Sequence, residues 1–220
     1  MREPGLIIFD CDGVLVDSEI IACRIDAECL NEIGIAISVD EIATRYIGVS
    51  AAAIFADIET RFARKLPADF GDTLSTRLVE AFTAELKAVP GIEDALDRIS
   101  YATCVASSSD PARIERSLLL TGLLPRFHAR LFSAKSVACG KPAPDLFLLA
   151  AERMDTDPRD CLVVEDSIPG VEAGVAAGMT VIGFTGGSHC PPGHDAALRK
   201  AGAVTVCSRA ADLPDAILPR

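Results

Sequence analysis

Four short clusters in the chain carry side chains with ligating or reactive chemistry. The first is Phe9-Asp10-Cys11-Asp12-Gly13-Val14, which follows the apolar residues Leu6, Ile7 and Ile8. Two carboxylates two residues apart on an extended strand share a face. Held close they repel, unless a cation lies between them or one keeps a proton. That arrangement suits phosphoryl chemistry, because a divalent ion lets one carboxylate approach a phosphate while the second moves a proton to or from the leaving oxygen. Taken alone, the pair also fits a turn whose Asp residues cap the next helix.

The second cluster is Ser107-Ser108-Ser109, which ends the apolar run from Ala102 to Ala106. A hydroxyl and backbone N–H groups at the end of a strand can bind phosphate oxygens, although serine at such a junction also serves as a plain helix cap. The third is Lys141 in Gly140-Lys141-Pro142-Ala143-Pro144-Asp145, a lysine before two prolines that set the direction of the backbone. A fixed ammonium there can neutralise a carboxylate and a phosphate; a solvated lysine ahead of a helix is the other reading. The fourth is Glu165-Asp166, after Val163 and Val164. A second acidic pair at the same sheet edge as the first would be electrostatically costly without a metal, while a lone acidic pair can cap a helix.

The elements that must position these groups follow from the apolar pattern. Residues 6–9, 102–106, 161–164 and 180–184 are continuous apolar runs of the kind buried on both faces of a parallel sheet, and 204–207 adds a peripheral strand. Helical patterns lie between them, from Asp110-Pro111 to about Leu120, from Pro142 to Met154, and from Pro169 to Ala177, closed by Gly178. Strands alternating with helices of this length predict an α/β fold, a parallel sheet with helices on both faces and its ligand crevice at the carboxyl ends of the strands. Residues 19–87 depart from that rhythm. Ile21, Ile25, Cys29 and Ile33 fall on one helical face, Gly34 can end that helix, and Asp40, Ser50 and Asp72 can start others. The segment reads as an all-helical insert, 19–87, joined to a main domain of 1–18 and 88–220 through two short crossings that can hinge.

Unrelated loops would not place Asp, Ser, Lys and Asp in this order beside strand ends. The chain resembles the haloacid dehalogenase-like hydrolases, whose motifs match FDCDGVLVDSE, VASSSD, GKPAPD and VEDSIPGVEAG over nearly its whole length. The resemblance implies a Rossmann-like core with Asp10 as nucleophile, forming an aspartyl-phosphate, and Asp12 as general acid and base. It implies Mg²⁺ held by the Asp10 side chain, the Asp12 main-chain carbonyl and Asp166, with Glu165 a near or water-mediated partner. Ser107 and Ser108 with the loop amides would hold the phosphoryl group, and Lys141 would balance charge. The insert would be the family's cap domain, closing over a small phosphorylated substrate. Glu19, Arg24, Arg45, Tyr46 and Gly48 are the cap contacts this predicts, with Arg45 first in line to meet an anionic or hydroxylated group.

Within that family the residues favour transfer of phosphate to water. Asp12 argues against carbon–halogen cleavage, which needs no second acid. The β-phosphoglucomutase-like branch carries a His where this chain has Ala22, and a Lys-Gly-x-Ser-Arg pattern where it reads Ile47-Gly48-Val49-Ser50-Ala51. The basic groups that would hold the second phosphate of a bisphosphate are missing, so a sugar or sugar-acid phosphatase is expected ahead of a mutase. A binding protein that kept the fold and lost the chemistry is a third possibility, opposed by the full set of functional groups. His189-Cys190-Pro191-Pro192-Gly193-His194 lacks a recognised zinc spacing.

Bulk properties fit this picture. With 220 residues, half of them hydrophobic, only 5% aromatic and no Trp, the core must be built from aliphatic side chains. A net charge of −11 disfavours nucleic acid and anionic membranes as partners. The eight cysteines show no CxxC pair and read as free thiols of a reducing cytoplasm; the N-terminal apolar run is too short for a signal peptide or a span. The expected assembly is a monomer or weak homodimer.

Overall fold

The computed structural model describes residues 3–47, 49 and 51–218. The chain opens with β1 (Leu6–Phe9), all four residues of which are buried. Four helices follow: α1 (Glu19–Glu32), α2 (Val39–Tyr46), α3 (Ala51–Arg61) and α4 (Phe70–Glu85). The remainder alternates: α5 (Ile92–Arg98), β2 (Ala102–Ser107), α6 (Pro111–Leu120), α7 (Leu124–Phe127), β3 (Leu131–Ser133), α8 (Asp145–Arg153), β4 (Cys161–Glu165), α9 (Ile168–Ala176), β5 (Thr180–Phe184), α10 (His194–Ala201), β6 (Thr205–Cys207) and α11 (Leu213–Ile217).

The six strands form one sheet in the order β3-β2-β1-β4-β5-β6, and every neighbouring pair is parallel. The period of two along β1 divides the core. Ile7 and Phe9 join Val105, Leu162, Val164 and Ile182 on one face, covered by Ile92, Ile114, Leu118, Phe127 and Leu213 of α5, α6, α7 and α11. Leu6 and Ile8 join Cys104, Ala106, Val163 and Val181 on the other, covered by Phe147, Ala150, Val171 and Leu198 of α8, α9 and α10. Burial on both faces explains why these strands are continuous apolar runs with no alternation. The chain leaves β1 towards β2 and β3 on one side and returns to β4, β5 and β6 on the other. The carboxyl ends of β1, β2 and β4 therefore border the switch point where ligands bind in such sheets.

Among the described residues no strand interrupts helices α1 to α4, which share a continuous apolar cluster with the first face of the sheet. The two crossings that connect them run side by side: Asp17 N–H donates to Lys87 C=O (2.9 Å) and Val89 N–H to Leu15 C=O (3.0 Å). Among the described residues no helix is long and apolar enough to cross a membrane. All eight cysteines are free.

Several elements differ from the pattern reading. β3 is a three-residue edge strand with only Ser133 buried, too short and too exposed to leave an apolar signature. α8 begins at Asp145 rather than Pro142, because residues 141–144 run across the site before the helix starts. α2 starts one residue before Asp40, and Ser38 caps it by accepting from Glu41 N–H. α4 starts two residues before Asp72. Ser50 lies outside the described residues. His194 opens α10, which was not expected in a proline-rich loop.

Candidate active site

The site grows from the end of β1. Asp10 continues the strand far enough for its N–H to donate to Val164 C=O (3.0 Å), which sets its carboxyl beside the end of β4. There Glu165 is the last residue of the strand and Asp166 the next, and Asp10, Glu165 and Asp166 are all buried. Each offers a carboxylate oxygen, and these oxygens lie within 4.8 Å of one another. Lys141 reaches in from the segment before α8, with its side chain 4% exposed. Its Nζ donates to Asp10 Oδ1 (2.6 Å), Glu165 Oε2 (2.8 Å) and the Ala106 carbonyl (3.2 Å), and lies 4.9 Å from the centre of the Phe147 ring.

Two glycines make this density possible. Gly13 has φ +80°, and a Cβ there would fall 2.0 Å from Asp166 Oδ2. A Cβ at Gly170, in the first turn of α9, would fall 2.0 Å from Glu165 Cδ. Glu165 is also held through Oε1, which accepts from the Ser167 N–H (3.0 Å) and hydroxyl (2.5 Å).

Asp12 turns away from the trio. Its carboxylate accepts from Ser18 Oγ (2.7 Å), Ser109 Oγ (2.7 Å), Ser107 Oγ (3.3 Å) and Arg113 Nη2 (3.1 Å). Of the residues expected to bind phosphate, Ser107 thus touches Asp12 and Ser108 lines the cavity. Sequence reasoning misses Arg113 and reaches Ser109 only as the third member of the serine cluster. Arg113 sits in the first turn of α6, over the Phe82 ring at 5.1 Å, and its place one turn after Asp110-Pro111 was the available signal. In the sequence His189 stands only in a proline-rich loop. Its Nε2 lies 2.9 Å from Asp166 Oδ2.

The electrostatics separate the two aspartates. Burial pushes the Asp10 carboxyl well above its ordinary range; Lys141 opposes this, and Glu165, Asp166 and Asp12 add to it. Glu165 is raised by burial too, again against Lys141. For Asp12 burial also acts upward, but Arg113 and the hydrogen bonds from Ser18 and Ser109 outweigh it and hold the carboxyl below its ordinary value. Burial and the charge of Asp12 push Glu19 up to about 7.

The donor set fits a hard divalent cation. Three buried carboxylates face one ammonium, the donors are oxygens, and a positive ion would relieve the repulsion that burial intensifies. The Asp12 carboxylate lies outside this trio, so any ligand from that residue has to come from its main chain.

A cavity of about 270 Å³ covers these groups. Asp10, Asp12, the three serines, Arg113, Lys135, Lys141, Glu165 and Asp166 form its floor and sides. Helix α1 contributes Glu19, Ala22, Cys23 and Asp26, and the rest of the wall is mainly apolar, with Tyr46, Ile47, Val49, Phe55 and Leu78 among its members. The Tyr46 hydroxyl donates to Asp57 (2.6 Å) and accepts from Arg61 (2.8 Å). The structure does not bring Arg45 or Arg24 to the cavity. Arg45 is half exposed with Glu41 3.9 Å away, and Arg24 pairs with Glu28 and Glu85. Gly48 lies outside the described residues.

A family model of haloacid dehalogenase-like hydrolases matches residues 4–178. The 6-phosphogluconate phosphatase of Escherichia coli K12 is 30% identical over 193 residues, covering 87% of this chain and 87% of that protein. Among solved structures, a conserved haloacid dehalogenase-like protein of unknown function from Agrobacterium tumefaciens matches with a TM-score of 0.86 at 41% identity, over 97% of each chain. A HAD family hydrolase from Deinococcus radiodurans, with bound phosphate and sodium, matches with a TM-score of 0.77 at 32% identity, over 99% of this chain and 96% of that one.

Proposed function

The chain belongs to the haloacid dehalogenase-like hydrolases, and from that membership we propose that it is a magnesium-dependent phosphatase acting on a small phosphorylated metabolite, a sugar or sugar-acid phosphate, through an aspartyl-phosphate on Asp10. The observation that carries this is the meeting of Asp10, Glu165, Asp166 and Lys141 at the carboxyl edge of the sheet, with Asp12 beside them in a different electrostatic setting. Taken without the cation the shifts oppose these roles: Asp10, the nucleophile, is raised, and a divalent ion beside it would favour its ionised form, while Asp12, lowered by Arg113, Ser18 and Ser109, has to gain a proton before it acts as an acid.

In the first half-reaction an Asp10 carboxylate oxygen attacks phosphorus and the P–O bond to the leaving group breaks, while Asp12 gives that oxygen a proton. In the second, water attacks the aspartyl-phosphate and Asp12 takes a proton back. Ser107, Ser108 and the loop amides hold the transferring group, and Lys141 keeps Asp10 and Glu165 close without mutual repulsion. Mg²⁺, held by Asp10, Asp166, the Asp12 carbonyl and Glu165 nearby, would neutralise charge on the phosphoryl oxygens when bound.

Hydrolysis is favoured over a mutase reaction by the charge of the wall. Among the described residues that line the cavity, the cations are Arg113, Lys135 and Lys141, and helices α1 to α4 supply none. A bisphosphate would lack a second strong anchor there, so water takes the phosphoryl group. Residues 19–87 act in this reading as a cap that excludes water, hinging at the paired crossings. The name of the Escherichia coli relative and the phosphate bound by the Deinococcus radiodurans protein support a phosphate monoester as substrate. The free thiols support a reducing compartment such as the cytoplasm.

The test is release of phosphate from p-nitrophenyl phosphate and from a panel of sugar and sugar-acid phosphates, with and without Mg²⁺. Asp10→Asn should abolish release at unchanged fold, because the amide is nearly isosteric and cannot form the acyl phosphate. Turnover that survives this substitution rejects the assignment.

A further inference from the structure

The loop between β5 and α10 and the first residue of α10 carry two histidines, His189 and His194, that the reaction above does not use. Both converge on one residue. His189 Nε2 lies 2.9 Å from Asp166 Oδ2, and His194 Nε2 lies 2.6 Å from the Asp166 main-chain carbonyl. Carboxylate and carbonyl oxygens only accept, so each imidazole presents an Nε2–H. The His189 and Asp166 side chains are 2% and 4% exposed, and His189 Nδ1 is buried with no hydrogen-bond partner. The imidazole is enclosed by glycines: a Cβ at Gly13 or Gly187 would fall 2.6 or 2.7 Å from its Cε1. Ser188 anchors the loop, its N–H and hydroxyl both donating to Asp17 Oδ1 at 2.9 Å.

We infer that His189, with His194 behind it, is a positioning residue for the cation site: it holds the Asp166 carboxylate in its ligating orientation and binds no metal of its own. The chemistry is that of a carboxylate ligand fixed by an outer hydrogen bond, which raises affinity by removing the freedom the ligand would otherwise lose on binding. The two histidines grip Asp166 at side chain and main chain, which restrains both its χ angles and its peptide. The inference rests on the proposed magnesium site, and the experiment separates the two.

Mg²⁺ alone is titrated calorimetrically into the full chain carrying His189→Gln, His189→Met or Asp166→Asn, alongside the unaltered protein. Gln and Met both fill the volume, but only Gln can place an N–H where Nε2 stood. Affinity should fall by about 10- to 100-fold in His189→Met, the usual cost of losing such a partner, and stay near wild type in His189→Gln. The Mg²⁺ concentration for half-maximal hydrolysis of p-nitrophenyl phosphate should rise by the same factor in His189→Met, with kcat recovered at saturating Mg²⁺. A role in stability alone would lower Tm and leave the Mg²⁺ affinity unmoved. If His189→Met does not fold, His194→Met is titrated instead, and affinity equal to wild type overturns the inference. Wild-type protein that takes up no Mg²⁺ overturns both readings. Loss of binding in Asp166→Asn with wild-type binding in His189→Met leaves the magnesium site standing and rejects the positioning role.

Discussion

Lys141→Met isolates the charge balance on which the site depends. Met resembles Lys in length and bulk, so the substitution removes the ammonium from between Asp10 and Glu165 and leaves little cavity. Breaking a buried pair by deleting one partner costs about 3–5 kcal/mol, because the remaining charge is uncompensated. For a chain of this size each kcal/mol moves Tm by about 2–4 °C, which makes the expected loss roughly 6–20 °C at neutral pH. The pH dependence follows from the sign of the shifts. Burial already raises Asp10 and Glu165, and Lys141 is the leading opposing influence on both. Without it their folded pKa values climb further above the unfolded ones, so the variant is penalised as pH rises through the folded values and relieved below the ordinary carboxylate range. The difference in Tm between the two proteins should therefore widen from acid to mildly alkaline pH and shrink when Mg²⁺ is added. Thermal unfolding across that range, with and without Mg²⁺, reads both effects. A deficit independent of pH and of Mg²⁺ would refute the reasoning and reduce Lys141 to a packing element.

Two further outcomes follow from the walls of the cavity. Arg113→Met should let the Asp12 carboxyl titrate higher, since the guanidinium is the first of the influences that hold it down; an unmoved carboxyl resonance by NMR would show that Ser18 and Ser109 hold Asp12 by themselves. Arg45→Ala should leave kcat/KM unchanged both for p-nitrophenyl phosphate and for the best sugar phosphate, because the side chain is half exposed beside Glu41; a loss confined to the sugar phosphate would mean that the helices close far enough to bring it in.

The parallel sheet was legible because burial on both faces writes an unbroken apolar run, and β1 and β5 were found at their observed ends. The groups at those ends were legible for the same reason: Asp10, Ser107, Glu165 and Asp166 follow directly from the strands that deliver them. Lys141 follows no strand, and its approach depends on how residues 141–144 cross the site, which residue type alone does not specify. Arg113 escapes notice, and Ser109 counts only as one of three serines, because a first-turn arginine and a third serine have many surface uses. Only the fold brings Asp12 within reach of them. The clearest displacement concerns the histidines. In sequence they flank two prolines and resemble a weak metal loop, while in space both face Asp166, more than twenty residues earlier. On α2 the resemblance points to both Arg45 and Tyr46 without revealing which side of that helix meets the cavity. Tyr46 and, one turn earlier, Ile42 are the α2 residues that do.

The claim that Asp10 becomes phosphorylated has a direct measurement. Borohydride reduces an acyl phosphate of aspartate to homoserine, so protein quenched during turnover of its best substrate, reduced, digested and analysed by mass spectrometry marks the residue that carried the phosphoryl group. The account predicts homoserine at position 10, dependent on Mg²⁺, with the side chains at positions 12, 165 and 166 unreduced. Phosphate release at full rate with position 10 unmodified, or modification at Asp12 in its place, would contradict it.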